Sequence, residues 1–89
     1  MLTSDRKRAL KRKAHALDPL VQIGKNGVTD GVIANIDRAL SDHALIKVKY
    51  INHKSEKREL TETITGRTGS TLIDLIGNTA ILYREKPRE

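Results

Sequence analysis

Hydrophobic residues recur along the chain in short blocks whose spacing changes between helical and strand periods. In the first block, Leu10, Ala14 and Leu17 fall within one arc of a helix that turns about 100° per residue. This pattern predicts an amphipathic helix within residues 1–17. Asp18-Pro19 ends it, because the residue before a proline is pushed out of helical backbone conformations.

The middle of the chain predicts a strand, a helix and a second strand. Residues 20–23 form a short apolar strand. A helix capped by Thr29 or Asp30 then runs to about Ser41, with an apolar stripe at helical spacing formed by Val32, Ile33, Ile36 and Leu40. Residues 44–51 alternate, which is typical of a strand with one buried face. Ile46, Val48 and Tyr50 point one way in this strand, and Lys47 and Lys49 point the other way.

The last third of the chain predicts a helix followed by a hairpin. Ser55 can cap the helix, which ends at Gly66 as its left-handed terminal residue. Strands at 71–76 and 79–84 are joined by Gly77-Asn78, which has the length and composition of a two-residue hairpin turn. Asn52-His53-Lys54 forms a separate turn before the helix, and residues 85–89 form a frayed tail.

The element order α-β-α-β-α-β-β predicts an α/β fold of the α+β type, built as a single two-layer domain over residues 1–89. A chain of 89 residues has room for one hydrophobic core. Strand–helix–strand units imply parallel neighbouring strands with right-handed crossovers, whereas the final hairpin must be antiparallel. The result is a small mixed sheet with helices packed on it.

Charge is concentrated at the start of the chain. The net charge is +6, and residues 1–17 carry six basic residues against Asp5 alone. The predicted helix therefore docks by its apolar stripe and presents a basic ridge on the other side, formed by Lys7, Arg8, Lys11 and Arg12. Arg6 and Lys13 lie near the stripe, and their long side chains must reach outward from it.

Three interpretations of this basic helix are open: a solvated surface, an anionic membrane or transit signal, and a nucleic-acid backbone. Few acidic residues lie nearby to compensate the charge, which argues against a merely solvated face. The apolar stripe has only two leucines and no aromatic residue, which is thin for membrane insertion. We favour a phosphate backbone as the partner.

The loop Gly24-Lys25-Asn26-Gly27 connects a predicted strand directly to a helix. Its glycines permit positive φ and close approach of a ligand, and the helix start and Lys25 attract an anion. The loop lacks the length and the Lys-Ser/Thr pair of a Walker motif. A Gly-x-x-Gly loop is the device with which KH domains hold a nucleic-acid backbone, although the same spacing also occurs in ordinary turns. A second match, at residues 66–69, is better explained by a helix end and the turn after it.

The sequence offers little support for an enzyme, a metal site or a membrane span. It has no cysteine, which excludes disulfides and thiolate metal sites, and its three histidines belong to no recognised catalytic motif. We therefore expect no catalytic residues, no metal, no cofactor and no small-molecule substrate. The longest apolar runs are of four residues, against about twenty needed to cross a bilayer.

Several of these segments together resemble the CRM domain (chloroplast RNA splicing and ribosome maturation), and in length the chain is similar to its stand-alone bacterial YhbY-type members. The resemblance covers nearly the whole chain and is carried by a set of short segments. These are residues 14–17, Pro19, residues 21–27 with the Gly-Lys-Asn-Gly loop, residues 36–40, residues 45–49, Thr68-Gly69, Ile76-Gly77 and residues 82–84.

The resemblance implies a mixed four-stranded sheet similar to the C-terminal domain of translation initiation factor 3. It also implies RNA binding through the loop Gly24, Lys25, Asn26 and Gly27 and the nearby basic surface. To that surface we assign Arg6, Lys7, Arg8, Lys11, Arg12 and Lys54. Family members in bacteria associate with precursors of the large ribosomal subunit, so we expect a cytoplasmic, monomeric assembly factor that contacts ribosomal RNA. The alternative is a protein-interaction module that binds a ribosomal protein or another assembly factor.

Overall fold

The computed structural model of the protein describes residues 2–51 and 55–85. Over these ranges the chain forms helices and strands in the predicted order. The helices are α1 (Ser4–Ala14), α2 (Asp30–His43) and α3 (Lys57–Thr68). The strands are β1 (Val21–Ile23), β2 (Leu45–Tyr50), β3 (Thr71–Ile76) and β4 (Thr79–Tyr83). The predicted turn at 52–54 and residues 86–89 of the predicted tail lie outside the described residues.

The four strands form one mixed sheet in the order β1-β2-β4-β3. β1 runs parallel to β2, and β4 runs antiparallel to both of its neighbours, β2 and β3. β3 therefore has the same direction as β2, as the strand–helix–strand pattern predicts. The prediction that these two strands are neighbours is wrong, because β4 lies between them. Ala80, Ile81 and Leu82 are all buried, and a strand that is apolar on both faces is best covered at the centre of a sheet.

The hydrophobic core lies between α2, α3 and one face of the sheet, which we call the core face. β2 supplies Ile46, Val48 and Tyr50 to this face, so its predicted alternation is confirmed. Ala80 and Leu82 of β4 lie beside them. The predicted stripe of α2 covers the face, with Ile33, Ile36 and Leu40 buried and Val32 partly buried. The fold is thus held by aliphatic packing with Tyr50 as its one buried aromatic residue among those described.

The ends of α2 and α3 show how local hydrogen bonds define the helices. Thr29 caps α2, since its Oγ1 accepts the backbone N–H of Val32 at 3.1 Å. The prediction that α3 ends at Gly66 is wrong. The helix continues for most of another turn because Thr68 is buried and donates its hydroxyl to the Ile64 carbonyl at 2.7 Å. Gly69, with φ of 67°, is the left-handed residue that ends it.

Helix α1 packs against the other face of the sheet, which we call the outer face. Its buried residues Leu10 and Ala14 lie over β2 and β3. Ile81 of β4 is buried on this face too, because its neighbours Ala80 and Leu82 point to the core face. The helix ends at Ala14, three residues before the predicted limit, and Leu17 is 38% exposed rather than part of the buried stripe. α1 is short, so a large part of the outer face stays uncovered.

Among the helices of the described ranges, none combines the length and the apolar character that crossing a membrane requires.

Candidate nucleic-acid interface

The Gly24-Lys25-Asn26-Gly27 loop forms a tight turn between β1 and α2. The Gly27 N–H donates to the Gly24 carbonyl at 3.0 Å, and Gly27 has φ of 71°, a conformation that favours glycine. Lys25 and Asn26 are exposed at the tip of the turn. Within the described part of the chain, the Lys25 ammonium makes no ion pair or hydrogen bond. The turn thus presents an unpaired cation beside the start of α2.

Three connections meet at the end of the sheet where this loop lies. The N–H of Ile51, just after β2, donates to the Ile23 carbonyl at 2.8 Å, and the N–H of Tyr50 donates to the Asn78 carbonyl at 2.7 Å. The loop after β1, the end of β2 and the β3–β4 turn are therefore neighbours, as the predicted strand directions require. Lys54 was assigned to the same end, but it lies outside the described residues.

Lys57, at the start of α3, ties the β3–β4 turn to the rest of this end. Its ammonium donates to the Gly77 carbonyl at 2.7 Å and to the Asn78 side chain at 3.1 Å. The charge of Lys57 is thus used within the protein. It also supplies a cation at a turn that has no basic residue of its own.

A buried hydroxyl pair fixes the same end from inside. Tyr50 and Thr61 place their hydroxyl oxygens 2.5 Å apart, and Thr61 donates its single proton to the Lys57 carbonyl at 2.6 Å. The Tyr50 hydroxyl must therefore be the donor of the first bond. Burial raises the pKa of Tyr50 above its ordinary value. The tyrosine accordingly stays a neutral donor that locks β2 to α3.

The basic residues of α1 do not all lie on one ridge. Lys7, Arg8 and Arg12 are exposed, as predicted. Lys11 differs, because it lies at the edge of the buried stripe and its ammonium contacts the Asp74 carboxylate of β3 at 2.7 Å. This hydrogen bond is the main reason that the pKa of Asp74 is lowered below its ordinary value. Lys11 therefore fastens α1 to the sheet, and the solvent-facing charge is carried by its neighbours.

Arg6 is also placed against the sheet. Its guanidinium lies over the ring of Tyr83, 5.7 Å from the centroid, and donates to the Tyr83 hydroxyl at 3.3 Å. Tyr83 pairs with Leu45 at the start of β2, whereas the glycine loop adjoins the end of β2. The amino-terminal half of α1 and the loop are thus separated by the length of a six-residue strand, about 16 Å.

Two lysines of β2 occupy the outer face between these regions, and they are not among the predicted site residues. Lys49 is exposed opposite Gln22 of β1, and Lys47 is half-buried nearer to α1. Neither ammonium has a hydrogen-bonding or acidic partner in the ranges that the structure describes. The signal was present in the alternation of residues 45–50, which placed both lysines on one face of a strand.

A groove joins the end of α1 to Lys47, and Lys49 lies two residues further along the same face of β2. The groove has a volume of about 450 Å³ and lies between the end of α1 and the outer face, with Lys11, His15 and Lys47 among its polar lining residues. Lys7, Arg8 and Arg12 on α1, Lys47 and Lys49 on β2, and Lys25 in the loop therefore form one surface, which we call the basic strip. The two predicted regions are connected through residues that neither prediction included.

The described residues contain no group of three or more histidine, cysteine or carboxylate side chains that could hold a metal ion. The prediction that the protein is not an enzyme stays a prediction.

The chain matches a known domain family over most of its length. The model of the CRS1 / YhbY (CRM) domain matches residues 2–84. "Probable RNA-binding protein YqeI" of Bacillus subtilis is 43% identical over 86 residues, which cover 96% of this chain and 90% of the relative. "Probable RNA-binding protein PA4753" of Pseudomonas aeruginosa is 38% identical over 88 residues, covering 98% and 85%.

A solved structure is similar as well. The solution structure of protein SAV1595 from Staphylococcus aureus, described as "a putative RNA binding protein", superimposes with a TM-score of 0.85 at 42% identity. The match covers 99% of this chain and 93% of that one. Because the family model, the sequence relatives and the fold agree over almost the entire length, this chain belongs to the CRS1 / YhbY (CRM) domain family.

Proposed function

We propose that this protein binds RNA by gripping the phosphate backbone along the basic strip. The observation that carries the proposal is the run of cations from α1 across the outer face to the glycine loop. Within the described chain, Arg8 is the strip residue with an acidic neighbour, Asp5 at 3.8 Å. Lys25, Lys47 and Lys49 have no partner within the described chain, so their charge is available to an external anion. The names of the relatives, which are RNA-binding proteins, support the same assignment.

Backbone contacts on a folded RNA suit this surface better than base reading by the sheet. The outer face carries lysines, Gln22 and Thr79, and it lacks the paired aromatic residues on which sheet platforms stack bases. The loop adds a turn with a glycine at each end, where a phosphate can approach the backbone closely. The RNA partner we propose is ribosomal RNA within precursors of the large subunit, in the cytoplasm, with the protein acting as a monomeric assembly factor.

Salt dependence of binding tests the backbone grip. Each phosphate contact contributes roughly 0.7 to 0.9 to the slope of log affinity against log salt, so removing one contact lowers the slope by about 1. We expect this reduction for Lys25→Gln and for Lys49→Gln, with large-subunit ribosomal RNA transcribed in vitro as the probe. Arg38→Gln is the matched control, because Arg38 is exposed on α2, on the core side of the sheet.

Equal slopes for the two lysine variants, the arginine control and the unmodified protein would contradict the proposed surface. The assembly role is tested separately by sedimenting cell extract in a sucrose gradient. We expect the protein to migrate with large-subunit precursors at low salt and to leave them at high salt.

The alternative, a protein-interaction module, predicts a complex that survives both nuclease and high salt. One form of this alternative is that a strand of the partner protein pairs with β3, which lies at the edge of the sheet. The structure offers limited support for such pairing. The pairing of β3 with β4 shifts register between Leu72 and Asp74, and such an irregularity weakens an edge as a template for a further strand.

A further inference from the structure

A second cavity lies between α1 and the sheet, at the end away from the glycine loop. Its volume is about 630 Å³, within the range of roughly 300 to 1,000 Å³ typical of small-ligand pockets. Its floor is apolar and includes the buried Leu10 and the half-buried Leu45. Leu17 and Leu20 line it too, and they are 38% and 54% exposed. The cavity is therefore an apolar site open to solvent.

The rim of this cavity is basic. Arg6 and Lys13 of α1 and His43 at the end of α2 line it, against a single carboxylate, that of Asp18. Lys13 has no partner among the described residues. The ring of Tyr83 also lines the cavity and holds the Arg6 guanidinium above it. A ligand that fits must combine a flat or apolar body with an attached negative charge.

We infer that this cavity receives one unpaired nucleotide of the bound RNA, an inference that rests on the proposed function. The base lies against the apolar floor, and its phosphates lie near Arg6 and Lys13. Nucleotides outside a helix are commonly held in this way, with the base against aromatic rings or arginine planes. The apolar floor favours base faces in general, so the site selects an unpaired nucleotide rather than one particular base.

The position of the cavity relative to the loop defines the shape of the preferred RNA. Leu45 beside the cavity and Tyr50 beside the loop stand at opposite ends of β2, about 16 Å apart. An RNA bound by both regions presents its backbone to Lys25 and Lys49 and its unpaired nucleotide to the cavity. A duplex interrupted by a bulge a few nucleotides from the gripped backbone meets both requirements.

The test compares two RNA hairpins that differ by one bulged 2-aminopurine, a fluorescent base. We expect the bulged hairpin to bind the protein about tenfold more tightly, because the base removes apolar surface of the cavity from water. Its fluorescence should change on binding, and the methyl NMR signals of Leu10 and Leu45 should shift with the bulged hairpin only.

Two matched variants locate the effect. Ala16 is exposed and lines the cavity, so Ala16→Leu narrows it without altering the core. Ala9 is exposed on α1 and is not part of the lining, so Ala9→Leu is the control. We expect Ala16→Leu to remove the preference for the bulged hairpin and Ala9→Leu to keep it. Thermal unfolding of both variants checks that the fold is intact.

The outcomes separate this inference from the proposed function. Equal affinity for the two hairpins with unmoved methyl signals would overturn the inference and leave RNA binding intact. Failure of both hairpins to bind would overturn both. If a glutamate-rich peptide with a central leucine shifts the Leu10 and Leu45 methyl signals and the bulged hairpin does not, the occupant is a protein and the inference is wrong.

Discussion

The ammonium of Lys11 and the carboxylate of Asp74, 2.7 Å apart, join α1 to the edge strand β3. Leu10, the residue before Lys11, is buried against the outer face, so an apolar contact and an ion pair act at the same place. This contact fixes the position of the helix that begins the basic strip. It also makes the docking of α1 sensitive to pH.

We predict that Asp74→Asn destabilises the protein at neutral pH and has no effect in acid. The pKa of Asp74 in the folded protein lies below its ordinary value of 3.8, so the ion pair stabilises the fold above that pH. This contribution disappears as the pH falls through the lowered pKa. Because both side chains are partly exposed, the loss at pH 7 should be below about 1 kcal/mol. Urea unfolding at pH 7 and pH 2 measures it, with Asp42→Asn as the control. If Asp74→Asn lowers the free energy of unfolding by the same amount at pH 7 and at pH 2, the ion pair is not the source of the loss.

The two glycines of the loop should respond differently to replacement by alanine. Gly27→Ala forces a side chain into a φ of 71°, so we expect a loss of about 1 kcal/mol in stability. At Gly24 an added Cβ meets no atom within 4 Å and the backbone has no positive φ, so stability should not change. Gly24→Ala should nevertheless weaken RNA binding, because its methyl group occupies space that an approaching phosphate needs. Thermal unfolding and an RNA titration on both variants separate the two effects, and unchanged affinity for Gly24→Ala would mean that the backbone of the loop is not closely approached.

The hydrogen bond between Tyr50 and Thr61 should continue to stabilise the fold in alkali until the buried Tyr50 hydroxyl ionises. Burial raises the pKa of Tyr50 above its ordinary value of 10.0, so its contribution is complete below pH 10. That contribution is lost as the pH rises through the raised pKa. We expect Tyr50→Phe to unfold with a weaker dependence on pH above 10, and Tyr83→Phe to serve as the control. Thr61→Val should cost about 1 to 3 kcal/mol at pH 7, since it leaves the buried Tyr50 hydroxyl without its acceptor. Circular dichroism across pH 8 to 12 would refute this account if Tyr50→Phe and the unmodified protein lost structure in parallel.

Arg84 closes the other end of the sheet through a planar set of hydrogen bonds. One guanidinium nitrogen donates to the Asp37 carboxylate and to the Thr68 carbonyl, and the other donates to the Asp37 carbonyl and the Ser41 hydroxyl. Lysine has a single nitrogen and cannot reproduce this geometry. We expect Arg84→Lys to lose about 1 to 2 kcal/mol in urea unfolding, whereas Arg38→Lys, at an exposed position on α2, should lose nothing measurable. Equal stability of the two variants would count against the hydrogen-bond set.

The helices and strands were predictable because each depends on local spacing. The stripe of α2 and the alternation of β2 gave both the element type and the buried side. The strand order was not predictable in this way. The pairing of β4 with β2 joins residues far apart in sequence, although the continuous apolar run of residues 80–82 indicates a strand buried on both faces.

The candidate site was predictable in part for a similar reason. The loop and the charge of α1 are local features, and both were identified from the sequence. The role of Lys11 depends on Asp74, a lone charge between apolar residues of β3, and periodicity does not reveal such a partner. Lys47 and Lys49 of β2 could be placed on one face from the sequence. Their part in the basic strip could not be predicted, because it depends on which part of the outer face α1 leaves uncovered.

The central position of β4 has a consequence for the synthesis of the protein. β4 runs from Thr79 to Tyr83 and supplies the neighbour that both β2 and β3 require. Until Tyr83 has left the ribosomal exit tunnel, β3 has no strand to pair with, and the core side chains of β2 lack those of β4. The domain therefore cannot close step by step as it is translated, and the sheet that supports the basic strip is completed only after residues 79–83 have emerged.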